Sequence, residues 1–378
     1  MDGESERRAV RGLRRTTARI AAAGILVLAA GAFLLAVQIP VDAARRGFAL
    51  ASTGWIAFSA LLWLHSDKNR VSGGRVLSGF GPANLLTIAR GLLMASFAGL
   101  LAVPRLEGLY AWLPGLLYTA AALPDYVDGL IARRTGRTTR LGEILDMEVD
   151  SAGVFVATAL AVRDGIVPGW YLAIGLARYL FVFGLWLRAR LGRRVHDLPP
   201  SVRRRGFAAL KMGFMFAVLL PVFGPPATHL VAAALGLPFA LGFLWDWGLA
   251  TGRIRPGKGS LDSPGVRFSL AWLPVALRLL AVVLGAAVVG GHLGRPETYA
   301  LSLVEIAALA LIAMGIVTRP AAIAAAVLLG LSQNFVPLGP AGSGLLSALI
   351  GLVMLGAGRF ALFPLDDRLV FRRTGDPG

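Results

Sequence analysis

The stretch Asp125-Tyr126-Val127-Asp128-Gly129-Leu130-Ile131-Ala132-Arg133, followed by Gly142-Glu143-Ile144-Leu145-Asp146-Met147-Glu148-Val149-Asp150, decides how this chain is read. Apolar runs flank the acids, residues 109–127 before and 145–162 after. Each is close to the roughly 20 residues needed to span a bilayer. Two such runs joined by a short polar segment predict antiparallel membrane helices whose acidic ends meet at one loop. Asp125 and Asp128 lie three apart, Asp146 and Asp150 four apart, so each pair shares one helical face. Carboxylates at membrane depth are costly and mark function.

Working outward, apolar runs recur at 20–38, 47–65, 84–103, 168–187, 206–223, 228–248, 268–291, 300–317, 321–336 and 343–357. With the two runs already named, the pattern predicts an all-α, polytopic integral membrane protein of about 12 transmembrane helices. Hydrophobic residues make up 56% of the 378, charged residues only 16%, and mean hydropathy is +0.69. A soluble chain is excluded on that balance. The 47 glycines and 21 prolines interrupt apolar runs and so do not signal disorder. A cleaved signal peptide is not expected at the start, because the first apolar run is long and no small-residue cleavage site follows it. The absence of cysteine rules out disulfides, thiolate metal sites and thiol chemistry carried by this chain alone.

The net charge of +17 is an orientation signal. If the first residues are cytoplasmic, 29 of the 38 Lys and Arg fall in cytoplasmic segments. Five fall outside, at Arg45, Arg46, Arg105, Arg163 and Arg295, and Arg90, Arg178, Lys211 and Arg278 lie within spans. Both termini and the acidic loop are therefore expected on the cytoplasmic side of the cell membrane. Cations spread over many loops are not the single basic face that nucleic acid requires, so no nucleic-acid partner is expected. Attraction to anionic membrane lipids is the better secondary reading.

Four ionised carboxylates at one depth would repel. Two divalent cations restore neutrality, and an all-oxygen site suits Mg²⁺ or Mn²⁺ better than zinc. Metal pairs of that kind clamp the attacking and leaving oxygens of phosphoryl transfer. The competing reading pairs the acids with Arg133, Arg134 and Arg140, which accounts for one such aspartate more easily than for four. Gly129 follows the second Asp, Ala132 lies a turn beyond it, and Gly142 lies a turn before Asp146. Small residues there admit a close backbone or a flat ligand.

These residues resemble the full signature of the CDP-alcohol phosphotransferase family, matching its eight fixed positions from Asp125 to Asp150 and the three gaps that follow Arg133. The resemblance covers roughly residues 80–250. It implies a six-helix core, transfer of a phosphate-linked group from a CDP-alcohol to an acceptor alcohol, and release of CMP. It further implies that Asp125, Asp128, Asp146 and Asp150 hold two metal ions. Gly129, Ala132 and Arg133 would line the cytidine diphosphate pocket with Gly142 beside them, and Asp150 would deprotonate the acceptor hydroxyl. A carboxylate beside two dications is a poor base, so the metals must acidify the alcohol too, or Asp150 must bind metal loosely. The lead-in Pro82-Ala83-Asn84-Leu85-Leu86-Thr87-Ile88-Ala89-Arg90 resembles the start of the family's first core helix, which adds Asn84, Thr87 and Arg90 to the substrate-binding candidates. The family also tends toward homodimers.

Lys211, a turn or two inside its span, is expected to meet donor or acceptor phosphate, with snorkelling to the headgroups as the alternative. Arg178 falls near mid-span and suits an ion pair as well as a substrate. The Arg203-Arg204-Arg205 run reads first as a solvated flank. His65, His196, His229 and His292 lack metal-ligand spacing and are expected to be structural.

Three parts follow: a basic tail and two spans over 1–75, the core over 76–255, and a four-helix unit over 256–378. Residues 1–19 suit either an amphipathic surface helix or a disordered tail. In the last part Arg278, Gly285, Glu305, Gly315, Thr318-Arg319-Pro320 and Gly356-Ala357-Gly358-Arg359 are similar to the DoxX-like membrane family, which suggests an interaction or structural module. A pairing of Glu305 with Arg278 is expected there. The favoured function is phospholipid synthesis with CDP-diacylglycerol as donor and a polar alcohol as acceptor. The alternatives are a soluble CDP-aminoalcohol donor with a diacylglycerol acceptor, and an ion-coupled transporter. A transporter would want internal repeats and midplane sites, whereas these acids lie at a membrane edge.

Overall fold

A computed structural model describes residues 2–71, 74–122, 139–198, 202–254, 264–332, 336 and 338–363. Within them the chain forms twelve α-helices and a few 3₁₀ turns, with no strand longer than an isolated bridge. Within the described residues each predicted span overlaps one of these helices. Seven are long and apolar enough to cross a membrane. Packing divides the chain into two compact units, residues 1–164 and 165–378. The expected core over 76–255 draws on both.

The first unit holds α1 (Asp2–Leu35), α2 (Val41–Leu64), α3 (Pro82–Gly99), α4 (Leu113–Ala122) and α5 (Arg140–Arg163). Helix α3 is its hub, packing on α2, α4 and α5. Lipid supplies no hydrophobic drive between helices, so close approach depends on small residues. At the α2–α3 crossing a Cβ on Gly99 would lie 2.7 Å from the Gly47 carbonyl oxygen. Between α3 and α5, a Cβ on Gly153 would lie 2.6 Å from Met94 Cε. Helix α1 seats Gly24 against the Trp55 ring, whose Nε1 donates to the Ala21 carbonyl at 2.9 Å. Leu26, Val27, Phe33 and Leu34 of α1 point outward. A face of that kind is unstable in water and is at home in lipid.

Residues 2–19 are helical rather than a disordered tail, as part of α1, which runs unbroken from Asp2 to Leu35. Helix α5 starts five residues before its predicted span. Thr139 caps it, its Oγ1 accepting the Gly142 N–H at 3.1 Å. An oxygen at that position satisfies one of the donors that a helix start leaves open.

The second unit holds α6 (Leu172–Arg190), α7 (Val202–Leu219), α8 (Ala227–Ala250), α9 (Pro264–His292), α10 (Pro296–Met314), α11 (Thr318–Ser332) and α12 (Pro340–Leu355). Helices α9–α12 close a four-helix ring, each touching the next and α12 returning to α9; α12 also packs on α7 and α8. The expected Arg278–Glu305 pair is not formed. Arg278 Nε donates to the Ile312 carbonyl at 3.0 Å, Nη1 to those of Ala357 and Arg359 at 3.3 and 3.1 Å, and Nη2 to that of Ala313. A helix end leaves carbonyls without partners and carries partial negative charge. The end of α10, with the turn after α12, thus holds the guanidinium on four backbone acceptors. Glu305 is 1% exposed, and its Oε1 has no hydrogen-bond partner among the described residues. Gly315 ends α10 at φ +68°, where a Cβ would lie 2.7 Å from Ala361 Cα, so both conformation and space call for glycine.

Candidate active site

Asp146 and Asp150 stand one turn apart on α5, and one guanidinium joins them. Arg90, on α3, donates through Nη1 to Asp146 Oδ1 and through Nη2 to Asp150 Oδ1, the latter at 2.6 Å. Its Nε donates to the Ala121 carbonyl on α4 at 2.7 Å. Arg90 is 1% exposed, whereas the two carboxylates are 35% and 32% exposed. The cation is therefore the buried floor of the site, and the acids are its open face. A guanidinium fork fixes two acceptors in one plane, which an ammonium cannot do.

Beneath this pair, buried amides tie the starts of α3 and α5 together. Asn69 Nδ2 donates to the carbonyls of Leu77 and Gly79 at 3.3 and 3.0 Å. Its Oδ1 accepts from Asn84 Nδ2 at 2.9 Å, and Asn84 Oδ1 accepts from Thr139 Oγ1 at 3.2 Å. The Arg140 N–H donates to the Arg70 carbonyl at 3.2 Å, so the segment before α3 also holds the start of α5. Asn69 and Thr139 escaped the sequence reading. A Thr directly before an apolar helix was the available signal for the second; Asn69 carried none.

Gly142 is where this network is tightest. A Cβ there would lie 2.6 Å from Asn84 Oδ1 and 3.4 Å from Thr139 Oγ1. The Asn84 amide is committed at both ends and buried, so it has little freedom to withdraw. Gly142→Ala is accordingly expected to lower stability by about 1–3 kcal/mol, as overpacking does. Thermal unfolding in detergent reads this, and an unchanged midpoint would refute it.

The remaining candidates are placed as follows. Asn84 and Thr87 are buried, and Thr87 Oγ1 donates to the Ala83 carbonyl of its own helix at 3.1 Å. Asp125, Asp128, Gly129, Ala132 and Arg133 lie outside the described residues. Among the described residues Arg140 pairs with Glu143, at 2.7 Å on the surface, and with no aspartate. Lys211 belongs to the second unit, its Nζ 4.7 Å from the centre of the Phe239 ring. In that unit Arg204 lies 3.6 Å from Asp246, an acid buried near the end of α8 that the sequence reading passed over.

Asp146 and Asp150 offer carboxylate oxygen alone, the donor chemistry that Mg²⁺ and Mn²⁺ take. Among the described residues no third carboxylate or imidazole joins them as a metal cluster. The donor type and the open exposure of both acids fit a divalent cation.

Residues 81–244 match the model of the CDP-alcohol phosphatidyltransferase family. The chain is 32% identical over 124 residues to the CDP-diacylglycerol–glycerol-3-phosphate 3-phosphatidyltransferase of Salmonella paratyphi A, and equally to that of Pectobacterium atrosepticum. It is 31% identical over the same length to the protein of that name from Escherichia coli. In each case the alignment covers 30% of this chain and 64% of the relative. The chain thus spans less than two thirds of these relatives. No solved structure matches. Residues 81–244 are thus similar to the CDP-alcohol phosphatidyltransferase family.

Proposed function

We propose that this chain transfers a phosphatidyl group from a CDP-alcohol, CDP-diacylglycerol, to an acceptor alcohol and releases CMP. The observation that carries the reading is the Asp146–Asp150 pair, about one third exposed and held on a buried arginine within the residues that match this family's model. The relatives are named for a CDP-diacylglycerol donor and a glycerol 3-phosphate acceptor, and both are the first compounds to try here.

Bound by Asp125, Asp128, Asp146 and Asp150, two Mg²⁺ or Mn²⁺ ions would supply charge neutralisation at the diphosphate and acidify the acceptor hydroxyl. The residues of the chain do the rest. Asp150 takes the proton of the acceptor hydroxyl. The hydroxyl oxygen forms a bond to the phosphorus that bears the diacylglycerol, and the bond from that phosphorus to the bridging oxygen breaks. CMP departs with that oxygen. Arg90 is a positioning residue, holding Asp146 and Asp150 in register from below. By the family resemblance Gly129, Ala132 and Arg133 would line the cytidine diphosphate pocket, while Gly142 lets the Asn84 amide reach the start of α5. Asn84 and Thr87 shape the floor beneath them. Most of the barrier is met by positioning and by charge already in place. The active site faces the cytoplasm, as the cation asymmetry indicates.

The test is CMP release by the chain purified in detergent, with CDP-diacylglycerol, Mg²⁺ or Mn²⁺, and a panel of alcohols that includes glycerol 3-phosphate. CMP should appear with one donor–acceptor pair and stop when a chelator is added. No CMP with any donor or acceptor would overturn the proposal.

A further inference from the structure

The helix ring α9–α12 has, at one end, a cavity of about 300 Å³ between the α9–α10 turn and the start of α12. His292, Arg295 and residues Gly339 to Gly342 contribute to its wall. Three features of that wall point the same way. Helix α12 starts there, with Gly339 as N-cap and Pro340 in the first turn. Its first turn is formed, because the Gly339 carbonyl accepts the Ser343 N–H at 3.0 Å. The N–H groups of Ala341 and Gly342 have no acceptor within the helix and carry its positive end. Arg295 is exposed at the rim, and its guanidinium makes no hydrogen bond or ion pair among the described residues.

The third feature is independent of the helix end. His292 is 6% exposed, is one of the residues lining the cavity, and its buried Nδ1 has no hydrogen-bond partner among the described residues. A buried ring nitrogen without a partner is costly and rare, so it asks for a ligand. Glu297, the nearest acid in sequence, is exposed and is not part of the wall. Helix N–H groups, a guanidinium and an imidazole can all donate, and no carboxylate opposes them. That is a donor set for an oxyanion. Ala287, Val288, Val336 and Leu338 add apolar surface to the wall, which suits an ester better than a bare ion.

We propose that this cavity binds a phosphate-type oxyanion, held by the start of α12, Arg295 and His292. Two sources share that chemistry, the phosphodiester or phosphomonoester of a membrane lipid and a soluble phosphate. The site is built from residues that follow the family-matched stretch and stands apart from the transferase reading.

The experiment is isothermal titration of the full chain in an uncharged detergent, with inorganic phosphate in one arm and short-chain phosphatidic acid in the other. A saturable binding event is expected in at least one arm, weakened tenfold or more in Arg295→Gln. CMP release should be unchanged in that variant. Binding of phosphatidic acid alone would assign the site to lipid headgroups; equal binding of both would assign it to phosphate itself. Any binding at the α5 carboxylates is told apart because it survives Arg295→Gln. His292→Phe provides a second variant, expected to weaken the same event. No saturable binding in either arm, or equal affinity in a folded Arg295→Gln protein, would overturn the proposal.

Discussion

Asp150→Asn is expected to lower CMP release by about 10²–10⁴-fold, the usual contribution of a positioned base, with donor binding largely kept. The substitution is nearly isosteric, and the amide oxygen can still accept from Arg90 Nη2, which now lies 2.6 Å from Asp150 Oδ1. The floor of the site should therefore stay in place. The variant loses one negative charge and the ability to take the acceptor's proton. Single-turnover release of CMP, set beside direct binding of the CDP-alcohol, separates these two effects. Turnover equal to that of the wild type would remove Asp150 from its assigned role.

Arg90→Met should be the most damaging change to the fold of the site. It keeps an apolar stem of similar reach and deletes the fork that serves Asp146, Asp150 and the Ala121 carbonyl. Breaking a buried ion pair from one side costs about 3–5 kcal/mol. The carboxylates are about one third exposed and regain some hydration, so the low end of that range applies. Arg90→Lys should recover little, because one ammonium cannot satisfy three acceptors arranged for a planar fork. Thermal unfolding in detergent and CMP release are expected to fall together in both variants. A Met variant as stable and active as the wild type would show that the acids are held by something else.

Much of the helix pattern was legible because apolar runs of membrane length are bounded by Gly, Pro and Arg, and because carboxylates three and four apart must share a face. The partnership of Arg90 was not legible. It joins residues 56 and 60 positions apart, and no local rule specifies which face of α3 meets α5. The pairing of Arg278 with Glu305 failed for a related reason. Charge complementarity was weighed between side chains alone, while the carbonyls at the end of α10 were the stronger claimants for five N–H donors. The N-terminal residues stayed open between tail and helix because a basic segment reads alike as either until the apolar run after it supplies a nucleus for it to extend.

Arg163 closes α5 by donating from Nη1 to the carbonyls of Leu100, Leu101 and Val103, just past α3, at 2.6, 3.0 and 2.7 Å. With the Asn84–Thr139 link at the other end and Arg90 between, α3 and α5 are bolted at three heights. Two struts fastened that way can neither slide nor roll against each other. The spacing of Asp146 and Asp150 is then a property of the resting protein, and whatever movement a turnover cycle needs must come from parts outside this truss.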